Sequence, residues 1–140
     1  MLMLDNSAWA RLSSRSLPDA RRAEIAGLIE DGQIAVCAPF LLEAGWSSRS
    51  AAHHDQLLVD LLRLPRVIID SQVEDAAISA QRALGRRGHH RTASPSDLLI
   101  AACAHAHGSG VLHYDHDYDV LLEITELDYE SHWLAPAGAL

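Results

Sequence analysis

Five carboxylates stand at positions from which they could act together: Asp5, Glu43, Asp97, Asp115 and Asp117. Asp5 directly follows the apolar run Leu2-Met3-Leu4, and Asp115 and Asp117 directly follow Val111-Leu112-His113-Tyr114. Asp97 falls in the first turn of a helix that is apolar nearly all round through Ala106, and Glu43 sits in Leu41-Leu42-Glu43-Ala44-Gly45-Trp46. Carboxylates seldom go inside unpaired. Several on one face repel one another unless a cation joins them. An all-oxygen donor set suits Mg²⁺ or Mn²⁺ better than zinc. Such an ion can act as a Lewis acid and activate a bound water.

Each residue also has a purely structural use. Asp5 can cap the helix that follows it. Asp97 lies three residues after Ser94, with Pro95 at the first helical position, which fits a variant capping box. Asp115, Asp117 and Asp119 can form a solvated turn. Glu43 resists such a reading because its neighbours are apolar. Asp70 also follows a strand-like run but adjoins the capping box Ser71-Gln72-Val73-Glu74 and is read as structural. Arg86, Arg87 and Arg91 form a basic cluster just before the helix of Asp97. They are either a solvated connector or contacts to phosphate. His105, His107 and His113 lack cysteine partners at zinc-site spacings, and the pairs His53-His54 and His89-His90 are expected on the surface.

Positioning these groups falls to an alternation of short β-like runs and longer helical ones. Strands are expected over Leu2–Leu4, Ile34–Cys37, Val67–Ile69, Val111–Tyr114 and near Tyr129–Leu134. Helices are expected over Asn6–Arg15 (capped by Asn6 or Ser7), from Pro18-Asp19 to Asp31-Gly32, and from Pro39 to about Ser50. Further helices run through Leu57–Leu62 to a stop at Pro65, from Ser71 to Gly85, from Ser94 to Ala106, and over Val120–Leu122. The pattern predicts an α/β fold with a mostly parallel sheet and helices on both faces. In such sheets ligands bind outside the carboxyl ends of the strands, where Asp5, Asp115 and Asp117 fall.

The 140 residues fit one domain, 1–140. A hydrophobic fraction of 49% with only 5% aromatics implies a core of Ala, Leu, Ile and Val. The net charge of −8 argues against binding nucleic acid by general charge. With five carboxylates in one pocket, 11 basic residues face 14 acidic ones, a balance of −3. All 11 basic residues are arginine. The absence of lysine excludes a P-loop and Schiff-base chemistry, and also a phosphotransfer receiver, which needs a strand-end lysine. Ser7 stands where a haloacid-dehalogenase phosphatase would want a second aspartate. Cys37 and Cys103 lie in apolar stretches and are expected as buried thiols. No apolar run is long enough to cross a bilayer and no signal peptide opens the chain, so a cytoplasmic location is expected.

Taken together, four segments resemble those of PIN-domain ribonucleases. Leu4-Asp5-Asn6-Ser7-Ala8 looks like the family's opening motif. Phe40-Leu41-Leu42-Glu43 falls where the family keeps its helix glutamate. Ser96-Asp97-Leu98-Leu99-Ile100-Ala101-Ala102 resembles the third motif and His113-Tyr114-Asp115-His116-Asp117-Tyr118 the fourth. Length and motif detail are most similar to the VapC toxins of bacterial toxin–antitoxin pairs. The resemblance implies a PIN-like (Rossmann-like) fold, cleavage of RNA with Mg²⁺ or Mn²⁺, a homodimer, and neutralisation by a small VapB-type antitoxin. Carried over, it makes Asp5, Asp97, Asp115 and Asp117 metal ligands, with Glu43 acting partly through water and Ser7 bracing Asp5. An RNA-processing nuclease without an antitoxin, or a non-catalytic interaction domain on the same fold, are the alternative readings.

Overall fold

The computed structural model describes residues 1–140. Four strands, β1 (Leu2–Leu4), β2 (Ile34–Ala35), β3 (Gly110–His113) and β4 (Glu130–Trp133), form one parallel sheet in the order β2-β1-β3-β4. Seven helices connect and flank them: α1 (Asn6–Trp9), α2 (Asp19–Glu30), α3 (Ala38–Trp46), α4 (Ala51–Leu61), α5 (Ser71–Arg86), α6 (Pro95–His107) and α7 (Asp117–Ile124). The chain leaves β1 towards one edge to make β2, then returns across the sheet to lay β3 on the other side of β1. The order therefore reverses between β1 and β3, and the crevice at their carboxyl ends is the expected ligand position in such a sheet.

Burial on both faces explains the unbroken apolar character of β1 and β3. Met3, Leu4, Val111 and Leu112 are all buried. Helix α6 lies deep in the packing, with Ile100, Ala101, Ala102, Cys103 and Ala104 wholly shielded, as its nearly all-round apolar sequence predicts. Its small residues allow close approach to β1, β3 and α5. Gly108, at φ +63°, ends the helix in the left-handed conformation. Gly110 is required for a different reason. A Cβ there would lie 2.8 Å from Leu2 Cδ2 and 2.9 Å from the Glu130 carbonyl oxygen, in the middle of the sheet. Cys37 and Cys103 are buried free thiols.

Several local expectations are corrected. Val67–Ile69 is not a strand: the one bridge here, to Val36, is made by Arg66 just before it, and Ile68 is exposed. Strand β2 is too short to offer more pairing, so the segment's β-branched residues have no ladder to join. The first helix stops at Trp9 rather than reaching Arg15. The serines beyond it favour turns, and Arg22 captures the carbonyls of Leu12 and Ser14 at 3.1 and 2.7 Å, bonds that α-helical continuation would compete for. Its cap is Asp5, not Asn6 or Ser7. Helix α5 is capped by the Asp70 carboxylate, which accepts from Val73 N–H at 3.0 Å, in place of the expected Ser71. Asp70 is thus structural, as its neighbourhood suggested.

Candidate active site

Asp5 emerges from β1 at the carboxyl edge and is almost wholly buried. Its Oδ2 accepts from the Ser7 backbone N–H at 2.9 Å and also from the Ser7 hydroxyl. That hydroxyl oxygen in turn accepts from Tyr114 N–H at 2.8 Å. Ser7 therefore ties the end of β1 to the end of β3 while holding one face of the Asp5 carboxylate. The other oxygen, Oδ1, accepts from the Tyr118 hydroxyl at 2.7 Å. The capping use and the braced-carboxylate use of Asp5 are both realised.

Asp97 enters from α6. Ser94 caps that helix by accepting from Asp97 N–H at 3.2 Å, and the capping box remains one-sided. The Asp97 carboxylate turns instead towards Asp115 and Asp117, and one oxygen from each of the three lies within 4.8 Å of the others. Asp115 comes from the turn after β3 and Asp117 from the first position of α7, and Asp115 Oδ1 accepts from Asp117 N–H at 2.9 Å. Asp5 lies beneath this trio rather than within it. Its oxygens already carry three protein hydrogen bonds, although a carboxylate has lone pairs to spare.

The electrostatics follow from this convergence. Burial first, then the charges of Asp5, Asp115 and Glu43, push the Asp97 carboxyl up to about 7 against an opposing hydrogen bond to Ser94. Burial and Asp115 also raise Asp117. One Tyr118 proton cannot serve two carboxylates. It goes to Asp5, and the 3.3 Å contact to Asp97 Oδ1 becomes favourable when Asp97 carries the proton. The pocket thus has a surplus of negative charge that either protons or a cation must balance. Its donors are all oxygen and partly open to solvent, a set that fits a hard divalent ion.

Glu43 departs from the expected setting. It lies on the exposed side of α3, and its apolar neighbours Leu42 and Trp46 are themselves 74% and 88% exposed. Its charge nevertheless bears on Asp97, so it stands at the open side of the pocket rather than in apolar confinement. Of the basic cluster, Arg86 ends α5 and borders a cleft with Asp75, Arg82, His105 and Glu126 that includes none of the acidic site residues. Arg87 and Arg91 are exposed on the connector into α6.

Two features escaped sequence reasoning. Tyr118 is buried against Asp5, and only its place one residue after Asp117 hinted at this. The second is a chain of bonds behind Asp115. The Asp115 N–H donates to His113 Nδ1 at 3.1 Å, so His113 carries its proton on Nε2 and donates to Ser131 Oγ at 2.8 Å. Ser131 then donates to Asp119, which also accepts from Trp133 Nε1 at 2.9 Å. Burial keeps the His113 imidazole below its ordinary value. For Asp119, burial acts upward, but the bonds from Ser131 and Trp133 outweigh it and hold the carboxyl low. Asp119 and His113 hence fix the turn of Asp115 against β4.

The family profile of the PIN domain matches residues 2–122, a span that contains all five carboxylates. The chain belongs to the PIN-domain family. Among curated relatives, it is 35% identical over 139 residues to Ribonuclease VapC18 of Mycobacterium tuberculosis, covering 98% of this chain and 97% of that one. It is also 35% identical to Ribonuclease VapC51 of the same organism, over 99% of this chain and 96% of the relative. Solved structures repeat the PIN fold at low identity. The DNA-bound VapBC structure from Salmonella typhimurium superposes with a TM-score of 0.71 at 18% identity, covering 96% of this chain and all of that one. VapBC-1 from nontypeable Haemophilus influenzae gives a TM-score of 0.73 at 14% identity, over 95% and 97% of the two chains. The α/β class and parallel sheet expected for a PIN domain are thus present. No helix is long and apolar enough to cross a membrane.

Proposed function

We propose that residues 1–140 form one PIN domain acting as an endoribonuclease toxin of the VapC type, cutting cellular RNA in the cytoplasm and neutralised by a VapB-type antitoxin. The observation that carries this is the convergence of Asp97, Asp115 and Asp117 above the buried Asp5 at the switch point of the sheet. Near-full-length similarity to curated VapC ribonucleases supports the substrate and the partner. A homodimer is part of the same reading.

In this reading Asp5, Asp97, Asp115 and Asp117 would hold Mg²⁺ or Mn²⁺, Asp5 through lone pairs that its hydrogen bonds leave free. Such an ion supplies an activated water and compensates charge on the scissile phosphate. The remaining work belongs to the chain. Ser7 and Tyr118 hold the Asp5 carboxylate in one orientation. The bonds running from His113 through Ser131 to Asp119 hold the turn that presents Asp115. Glu43, on the solvent side, acts partly through water. An arginine of the antitoxin entering the pocket would pair with the clustered carboxylates and exclude RNA.

The test is cleavage of RNA by the purified chain after EDTA treatment, with Mg²⁺ or Mn²⁺ then restored. Loss and recovery of cutting is expected. Cutting that survives EDTA overturns the mechanism. Growth arrest on expression, relieved by a co-expressed partner, tests the toxin reading separately.

A further inference from the structure

The acidic pocket poses a problem for its own substrate, since an RNA strand brings further negative charge to a protein of net charge −8. Three of the eleven arginines are withdrawn from full exposure: Arg11, Arg21 and Arg22. Arg21 and Arg22 pair with Glu24 and Asp19, at 2.9 and 3.0 Å. No carboxylate lies within 4.0 Å of Arg11.

Arg11 is nonetheless fixed in place. Its Nη1 donates to the Ser7 carbonyl at 2.9 Å, and its guanidinium carbon stands 4.8 Å from the centre of the Tyr114 ring. Tyr114 packs edge-on against Trp133, with ring centroids 5.7 Å apart. Both anchors of Arg11 belong to the site. Ser7 braces Asp5, and Tyr114 immediately precedes Asp115. A guanidinium has five N–H donors, and the protein engages only one N–H···O bond here. The group is therefore oriented in advance against Ser7 and Tyr114, the chain neighbours of the site carboxylates, retains most of its donors, and lacks an anion. Holding a long side chain in this state loses rotamer freedom, which one hydrogen bond and a ring face offset only in part.

We propose that Arg11 is a phosphate-binding residue, whose guanidinium takes a backbone phosphate of the RNA strand next to the one being cut. This rests on the ribonuclease reading above. Planar, bidentate donation to phosphate oxygens is the recognition for which arginine is suited and lysine is not. Pre-stacking on Tyr114 reduces the ordering required on binding. Arg87 and Arg91 are exposed and unanchored on the connector into α6, and Arg82 and Arg86 border a different cleft.

The test uses a single-stranded RNA oligonucleotide and the cleavage-inactive Asp97→Asn protein. Binding is measured across a salt series with and without Arg11→Gln. Loss of one phosphate contact is expected to lower the slope of log affinity against log salt by about 0.7, while Arg11→Gln in the protein that keeps Asp97 should leave Mn²⁺ affinity unchanged. An unaltered slope overturns the proposal. Arg11→Lys should regain the slope but only part of the affinity. Should Arg11→Gln fail to fold, the unsubstituted Arg11 is followed by phenylglyoxal modification and mass spectrometry in the Asp97→Asn protein. RNA should then protect Arg11 while Arg82 and Arg86 remain reactive. Equal modification of Arg11 with and without RNA refutes the contact. Wild-type protein that cuts no RNA at all would instead refute the ribonuclease reading, so the two failures are distinct.

Discussion

The Tyr118 hydroxyl donates to Asp5 Oδ1 across 2.7 Å from a wholly buried position in the core. A phenylalanine would preserve the packing and remove that donor, leaving a buried carboxylate oxygen short of a partner. For Tyr118→Phe, a loss of about 1–3 kcal/mol of stability is expected. Mn²⁺ affinity should fall roughly 10-fold, as for other residues that orient a ligand from behind. Calorimetric titration with Mn²⁺ beside urea unfolding checks both. Unchanged Mn²⁺ affinity would reduce Tyr118 to a packing residue.

Asp97 makes the metal-free protein sensitive to pH. Burial and neighbouring carboxylates raise its folded value from 3.8 to about 7. Between those values the native state keeps a proton that the unfolded chain has lost, so this contribution to stability falls as pH rises. His113 acts in the opposite sense: its value is lowered by burial, so the unfolded chain takes up a proton first as pH falls through about 6.5. The difference between wild type and Asp97→Asn isolates the first effect. In EDTA, the variant's stability advantage should grow between pH 5 and pH 8, by on the order of 1–2 kcal/mol after solvent screening. Urea unfolding at the two pH values measures it, and a gap that shrinks with pH would contradict the site's electrostatics.

Ser7 tests the link between the two strand ends. Ser7→Ala leaves Tyr114 N–H without its acceptor and Asp5 without the hydroxyl donor. The expected cost is about 1–3 kcal/mol, with Mn²⁺ affinity and RNA cleavage reduced together. Loss of stability with both of those intact would confine Ser7 to the fold.

Gly110→Ala should be among the more damaging small substitutions outside the site. The added methyl meets backbone at 2.9 Å from Glu130, where the sheet cannot yield without breaking register. Overpacking of this kind costs about 1–3 kcal/mol. Thermal unfolding checks it, and an unchanged midpoint would show that β4 is freer to shift than its pairing with β3 implies.

Much of this architecture was legible in the sequence because its strands are buried on both faces. Leu2–Leu4 and Val111–Tyr114 advertised themselves as apolar runs, and each ended on an acid at the carboxyl edge. Val67–Ile69 has the same composition yet forms no strand, because strand formation depends on a partner, and β2 is only two residues long. The carboxylates could be named but not ranked. Sequence placed Asp5 and Asp97 on equal terms, whereas the structure shows Asp5 buried and braced by Ser7 and Tyr118 and Asp97 facing Asp115 and Asp117. Glu43 lies on the exposed side of its helix with Leu42 and Trp46, whereas Leu41 and Ala44 on the other side are buried. Tyr118 and Arg11 acquire their roles only through contacts with Asp5, Asp97, Ser7 and Tyr114 across the fold, for which no local pattern exists.

The cleavage rate of Asp97→Asn is the most direct check on the central claim, measured on RNA at saturating Mg²⁺ or Mn²⁺ beside the wild-type protein. The change keeps side-chain size and removes the charge that meets Asp115 and Asp117. Expected is a folded protein whose cutting falls at least about 100-fold, in proportion to the several kcal/mol that charge compensation at the phosphate provides. A folded Asp97→Asn protein that cuts RNA at the wild-type rate would contradict it.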